Sequence, residues 1–169
     1  MRPYRIVMSR VEPLISNLIH PKAVCLDIQG VHNKQELIRF LAGLLFEVGK
    51  INSIDQFVNA VYQREKIGTT LNSDGIAFPH GESDTVISAG VAIGRAENGI
   101  FYETEDCGGG LAKIIILFAI PIKKEVTDQE GFQVLARLLV CKDFLESIRQ
   151  AANFESILTA VRKYGDLLK

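Results

Sequence analysis

The chain has no excess of either charge. Its 19 Lys and Arg stand against 20 Asp and Glu, a net charge of −1, and without a basic surplus there is no electrostatic footprint for nucleic acid. Cysteine is also scarce. Cys25, Cys107 and Cys141 are odd in number and far apart, which argues against a disulfide scaffold, and no CxxC pair suggests zinc. His20, His32 and His80 are the only histidines, too dispersed to suggest a metal site. Long apolar runs are missing: the longest, Ile114 to Pro121, is far too short to span a bilayer. The first ten residues, MRPYRIVMSR, carry three arginines with no apolar stretch of the secretory type behind them. The chain therefore reads as cytoplasmic, without direct membrane insertion. Gly108 to Gly110 lack the GK[ST] ending of a phosphate-binding loop and lead into a strand pattern rather than a helix, so they read as a connection.

What is present describes one globular domain, residues 1–169, with residues 1–11 as a tail or loosely docked arm. A length of 169 residues with 47% hydrophobic and 23% charged content allows a sizeable core. Val24 to Ile28 read as a strand. Asn33 with Glu36 resembles a capping box, and Leu37, Phe40, Leu41, Leu44, Leu45 and Val48 then share one helical face up to Gly49. Ser53 with Gln56 starts a second helix, with Phe57, Val58, Val61 and Tyr62 inward, ending near Arg64. Val86 to Ala96 read as a strand and 97–111 as a loop with a short extended piece at Ile100 to Tyr102. Lys113 to Ile120 is the apolar run expected of a strand covered on both faces. Thr127 with Glu130 opens a helix whose buried face is Phe132, Leu135, Ala136, Leu139 and Val140, and Asp143 and Asn153 cap two more helices ending near Tyr164. Cys25 and Cys141, in apolar segments, read as buried thiols, and Cys107 as a loop residue. This order of elements predicts an α/β fold with a mixed sheet between helical layers.

The segment from Arg64 to Gly81, REKIGTTLNSDGIAFPHG, carries the chemistry. Pro79 restricts Phe78 to extended geometry, so Ile76 to Phe78 read as a strand, with His80 at its end where the chain turns at Gly81. An imidazole there is open to act as nucleophile or proton carrier. Arg64, sixteen positions upstream, suits a phosphoryl group because guanidinium matches phosphate oxygens bidentately. Thr70 is placed to offer a hydroxyl to phosphate or to the imidazole, or to make a local turn hydrogen bond. Glu65 reads as a brace for Arg64 or for the loop, and an ion pair of Arg64 with Glu65 or Asp74 is the competing account. His20 and His32 read as structural or solvated, and Lys123 with Lys124 as a solvated loop. Spacing alone favours the plainer account of His80 as a loop histidine and Arg64 as a helix-end charge.

The pattern RE-K-x3-T-x4-GIA-x-PHG resembles the active-site motif of the fructose/mannitol-type enzyme IIA domain of the bacterial phosphoenolpyruvate-dependent sugar phosphotransferase system. Arg64, Glu65, Thr70, Gly75, Ala77, Pro79, His80 and Gly81 match without a gap, and the similarity runs from about Val24 to the C-terminal helix. The resemblance implies a three-layer α/β/α sandwich. It implies a phosphotransferase role for the domain during sugar uptake, with no cofactor and no metal. His80 would take a phosphoryl group on Nε2 from the phosphocarrier HPr and pass it to a cysteine of enzyme IIB, itself associated with the membrane component IIC. Arg64 would anchor the group and Thr70 would contact it.

Two departures stand out. Where many members read HLQxLxxL at a helix start, this chain reads GFQVLARL, so Gly131 replaces a second histidine near a helix N-terminus. Leu71-Asn72-Ser73 departs from the glycine-rich part of the motif. A regulatory module of the nitrogen-branch or transcription-regulator type, in which phosphorylation of His80 is a signal, is the rival reading. A non-catalytic binding domain, as in anion exchangers of the same fold, is disfavoured by the intact Arg64 and His80.

Overall fold

The computed structural model describes residues 10–105 and 108–168, so Cys107 and most of the expected N-terminal arm lie outside the described residues. The chain divides into two compact units, one built from residues up to Asn17 and from Val126 onward, the other from Leu18 to Glu125.

Among the described residues the larger unit is a mixed five-stranded sheet with two α-helices and a short 3-10 helix at Pro21–Ala23. Its strands are β1 (Val24–Cys25), β2 (Ile76–Ala77), β3 (His80–Ser83), β4 (Gly90–Tyr102) and β5 (Gly110–Pro121), and its helices α2 (Lys34–Glu47) and α3 (Ile54–Glu65). The spatial order is β1-β4-β5-β2, with β3 also on β5. β1 runs parallel to β4, β4 antiparallel to β5, and β2 and β3 both parallel to β5. Ile114, Ile115, Ile116 and Leu117 are buried in succession, as the unbroken apolar run required. α2 packs on β4 and α3 on β3.

Both helices begin where their caps predict. The side chain of Asn33 accepts from Glu36 N at 2.9 Å and that of Ser53 from Gln56 N at 3.3 Å. The return half of the capping box is displaced by one residue: Glu36 Oε2 accepts from His32 N at 2.8 Å. Gly49, at φ +77°, takes the left-handed conformation that ends α2. Leu37, Ile38, Leu41, Ala42 and Leu45 of α2 and Phe57, Val58 and Val61 of α3 are buried in one cluster.

Several strand expectations are corrected. β1 is only Val24–Cys25, although Ile28 N still reaches Arg95 O at 3.0 Å. β4 starts at Gly90 rather than Val86 and runs through the expected loop to Tyr102. A register shift between Arg95 and Ile100 absorbs Glu97, Asn98 and Gly99, the residues that look like a loop in sequence. His80 opens β3, and the chain does not turn at Gly81. The register with β5 explains this. Ala77 pairs with Ile115 and His80 with Phe118, so β2 and β3 are one line interrupted at Phe78 and Pro79. Pro79 has no N–H to give, yet its carbonyl still accepts from Phe118 N at 3.0 Å.

The smaller unit is helical: α1 (Val11–Leu18), which reaches the boundary between the units, α4 (Val126–Leu138), α5 (Lys142–Gln150) and α6 (Phe154–Gly165). α1 begins where only an arm was expected. Glu12 ties it to α6 through Arg162, at 2.6 and 2.8 Å. Asn153 caps α6 by accepting from Ser156 N at 3.0 Å. Asp143 is not the cap of α5. Cys141 holds that position without a side-chain bond, and Asp143 lies in the first turn. In α4 the buried stripe is Gly131, Leu135 and Leu138, while Ala136 and Val140 are exposed. Val140 lies past the helix end, so helical periodicity no longer governs it. Gly131 lies beyond the first four residues of α4, so its N–H is not one of the helix's free donors. Cys25 and Cys141 are half-buried rather than core thiols.

Candidate functional site

The site is built where α3 crosses the start of β3. A Cβ on Gly81 would stand 3.0 Å from Val61 Cγ2 and 3.2 Å from both Phe57 Cε2 and Val61 N. Glycine therefore lets the helix lie directly on the strand. The next turn of α3 carries Arg64 and Glu65, and the next residue back along β3 is His80.

The ring of His80 is half-buried, and its Nδ1 lies 2.9 Å from the carbonyl oxygen of Phe78. A carbonyl can only accept, so the neutral ring carries its proton on Nδ1. Nε2 then keeps its lone pair and is the nucleophilic nitrogen. Phe78 is itself held from the other side, its N–H donating to Thr70 O at 3.1 Å. Residues 70–78 form a tight turn around this edge. Leu71 bridges Ala77, and the side chain of Asn72 accepts from Asp74 N at 2.9 Å and Ile76 N at 3.0 Å. Gly75, at φ +78°, closes it. Asn72, which departs from the usual glycine-rich text, is thus the residue that organises the turn.

Arg64 is half-buried, and its Nη1 donates to Gly68 O at 3.0 Å. Among the described residues no carboxylate pairs with it. Glu65, the ion-pair partner considered for it, is instead buried, with Oε2 at 3.2 Å from Lys34 Nζ. Glu65 Oε1 accepts from the hydroxyl of Thr70, which also lies 3.2 Å from Tyr102 Oη. Glu65 therefore braces the loop, one of the two roles expected for it. Thr70 meets Glu65 and Tyr102, so its single proton is already given to the carboxylate. Tyr102 is fully buried, and burial raises its phenol well above the ordinary tyrosine pKa. Lys34 and Tyr102 carry no signal in the sequence that links them to this site. The contact is made only when β4 extends past residue 96.

A cleft of about 360 Å³ opens in the same unit, lined by Lys34, Tyr62, Glu65, Thr69 and Glu103 among others, but not by His80 or Arg64. Neither the imidazole nor the guanidinium lines that cleft, and both residues are half-buried. His20 and His32 stand apart as structural residues: His20 Nδ1 accepts from Lys22 N at 3.0 Å, and exposed His32 flanks the α2 cap. Lys124 is less free than a solvated loop residue, pairing with Glu82 at 3.1 Å.

Against known families, residues 17–164 match the model described as phosphoenolpyruvate-dependent sugar phosphotransferase system, EIIA 2. The chain belongs to this family. It is 28% identical over 165 residues to the 2-O-alpha-mannosyl-D-glycerate-specific EIIABC component of Escherichia coli (strain K12), a match covering 97% of this chain and 25% of that protein. It is 34% identical over 157 residues to the mannitol-specific EIICBA component of Vibrio cholerae, covering 88% of this chain and 22% of that protein. The chain thus spans a quarter or less of the length of these relatives. Among solved structures, the nitrogen regulatory protein IIA-Ntr of Neisseria meningitidis matches with a TM-score of 0.70 at 25% identity, over 88% of this chain and 99% of that one. The IIA mannitol structure of Escherichia coli matches at 0.64 and 23% identity, over 84% and 97%. The α/β fold with its mixed sheet, in the three-layer class expected from the sequence, is the fold of these EIIA domains. No helix among the described residues is long and apolar enough to cross a membrane.

Proposed function

We propose that the chain is a phosphocarrier domain of the sugar phosphotransferase system, with His80 as acceptor, HPr as donor and a cysteine of enzyme IIB as recipient. The observation that carries this reading is the Nδ1–H bond of His80 to the Phe78 carbonyl, which leaves Nε2 as the open nucleophile. The Nε2 lone pair attacks the phosphorus of phosphohistidine on HPr. An N–P bond forms on His80 as the N–P bond on HPr breaks, and the donor imidazole recovers its lone pair. The Nδ1 proton stays on His80 throughout, so the phosphorylated ring is cationic and remains bonded to Phe78. In the second transfer a thiolate forms an S–P bond, the N–P bond breaks, and neutral His80 returns. Arg64, which no carboxylate among the described residues pairs with, stabilises the phosphoryl oxygens as charge moves across them. Thr70 serves first as a loop anchor. Its hydroxyl contacts the phosphoryl group only if Glu65 releases it.

Enzyme IIB as recipient is supported by the likeness to a solved complex of enzyme IIA mannitol with phosphorylated enzyme IIB mannitol from Escherichia coli. The family match running across both units supports reading 1–169 as one domain. A cytoplasmic location follows from partners of this kind. A second reading, phosphorylation of His80 as a regulatory signal, is favoured by the likeness to IIA-Ntr.

Labelling with phosphoenolpyruvate, enzyme I and HPr tests the acceptor. Label on the wild type should be acid-labile and base-stable, and absent from His80→Ala. Full labelling of that variant would overturn the assignment. Rapid passage of label to a IIB cysteine supports transport, and its absence supports the signalling role.

A further inference from the structure

Four side chains meet behind the loop that joins α3 to β2, and phosphoryl transfer as written above uses none of them directly except Thr70 in its holding role. Glu65, with a side chain only 3% exposed, receives the hydroxyl of Thr70 on one oxygen and faces Lys34 Nζ at 3.2 Å on the other, where it makes no hydrogen bond. Since the one proton of Thr70 goes to the carboxylate, the 3.2 Å contact with Tyr102 Oη has the phenol as donor. Lys34 closes the group. Its Nζ lies 4.8 Å from the centre of the Tyr102 ring and donates to Glu103 O at 3.0 Å.

Two hydrogen-bonded paths lead from this cluster to the reacting groups. The Thr70 carbonyl takes Phe78 N–H at 3.1 Å, and the Phe78 carbonyl takes His80 Nδ1–H at 2.9 Å. On the other path Gly68 N donates to Glu65 O at 3.2 Å, and Gly68 O accepts from Arg64 Nη1 at 3.0 Å. We propose that Tyr102, Glu65 and Lys34 are positioning residues which, by clamping Thr70, hold His80 in its Nδ1–H tautomer and aim Arg64 at the same point. This rests on the reading of His80 as phosphoryl acceptor. The buried hydrogen bonds of Thr70 and the Lys34–Glu65 ion pair restrain the loop, and geometry held within a fraction of an ångström is what transfer between two proteins needs.

The test is the tautomer of His80, read by long-range ¹H–¹⁵N correlation of its ring nitrogens in the whole chain, together with single-turnover acceptance from phospho-HPr. Wild type should show one neutral form, protonated on Nδ1. Tyr102→Phe and Thr70→Val should show a mixture of both tautomers. They should also accept phosphoryl about tenfold more slowly, with unchanged dependence on HPr concentration. Thr70→Ser, which restores the hydroxyl, should recover both readouts. Tyr102→Phe keeps the ring, so it carries the comparison should Thr70→Val not fold. Folded Tyr102→Phe with a wild-type ring spectrum and a wild-type rate would overturn the proposal. The tautomer readout needs no phosphoryl donor. A wild type that never accepts phosphoryl while the variants shift the tautomer would defeat the phosphocarrier reading alone. Normal labelling with an unmoved tautomer would defeat the positioning role alone.

Discussion

Gly81 backs onto Val61 so closely that a methyl group there would meet Val61 Cγ2 at 3.0 Å and the helix backbone at Val61 N at 3.2 Å. A side chain could rotate away, but the backbone of α3 could not. Gly81→Ala should therefore push the helix off the strand and destabilise the protein by about 1–3 kcal/mol, the usual cost of overpacking. Because Arg64 rides on the next turn, phosphoryl acceptance should fall as well. Denaturant titration at constant m-value checks the first effect. An unchanged midpoint would mean that α3 and β3 are less tightly joined than these distances require.

Arg64→Ala should leave the fold in place and slow transfer on the order of 10²-fold, the scale of removing one preorganised charge donor. Among the described residues the side chain of Arg64 makes a single hydrogen bond, to Gly68 O, so little stability depends on it. Rapid-quench kinetics with labelled HPr measure the loss. A rate near wild type would reduce Arg64 to a surface charge.

Burial raises the phenol of Tyr102 far above its ordinary value of about 10. In the unfolded chain the phenol ionises near that value, while in the folded protein it keeps its proton. The unfolded state thus binds fewer protons at alkaline pH, and the contribution of this group to stability, complete below about pH 10, is lost as pH rises further. Unfolding midpoints between about pH 9 and 11 should fall less steeply in Tyr102→Phe than in wild type. Equal slopes would show that the phenol is not desolvated as drawn.

Gly131 stands where the resemblance to the family motif leads one to expect a second histidine. It lies in the buried stripe of α4, past the helix's free N–H groups. It therefore offers the phosphoryl group neither an imidazole nor a helix-end donor. If Arg64 and the His80 loop suffice, Gly131→His should change the transfer rate by less than about tenfold, under about 1.4 kcal/mol of barrier. A gain of about a hundredfold, roughly 2.7 kcal/mol, would instead mark the native protein as a slow, signalling member of the family. Melting temperatures should accompany the rates, since an imidazole at a buried position also tests packing.

Much of this was legible because it is local. Asn33, Ser53 and Asn153 cap helices through bonds to residues three positions on, and such short-range bonds depend little on the rest of the fold. Asp143 misled because Cys141 and the chain before it set where α5 begins, although no side-chain bond marks the place. Residues 97–99 misled for a related reason. Their polar, glycine-containing text is that of a loop, and only pairing with β5 carries the strand across them.

The sequence by itself determined the inward faces of α2 and α3, the unbroken apolar strand and the motif that nominates His80 and Arg64, because periodicity, caps and a gapless motif are properties of neighbouring residues. Tertiary structure decided the rest. It set the register that makes β2 and β3 one line broken at Pro79, and so gave the His80 ring a carbonyl partner. It also extended β4 to Tyr102, bringing residues as distant as Lys34 and Tyr102 onto Glu65 and Thr70. Such contacts form only when the sheet buries them together, and no local propensity encodes a partner dozens of residues away.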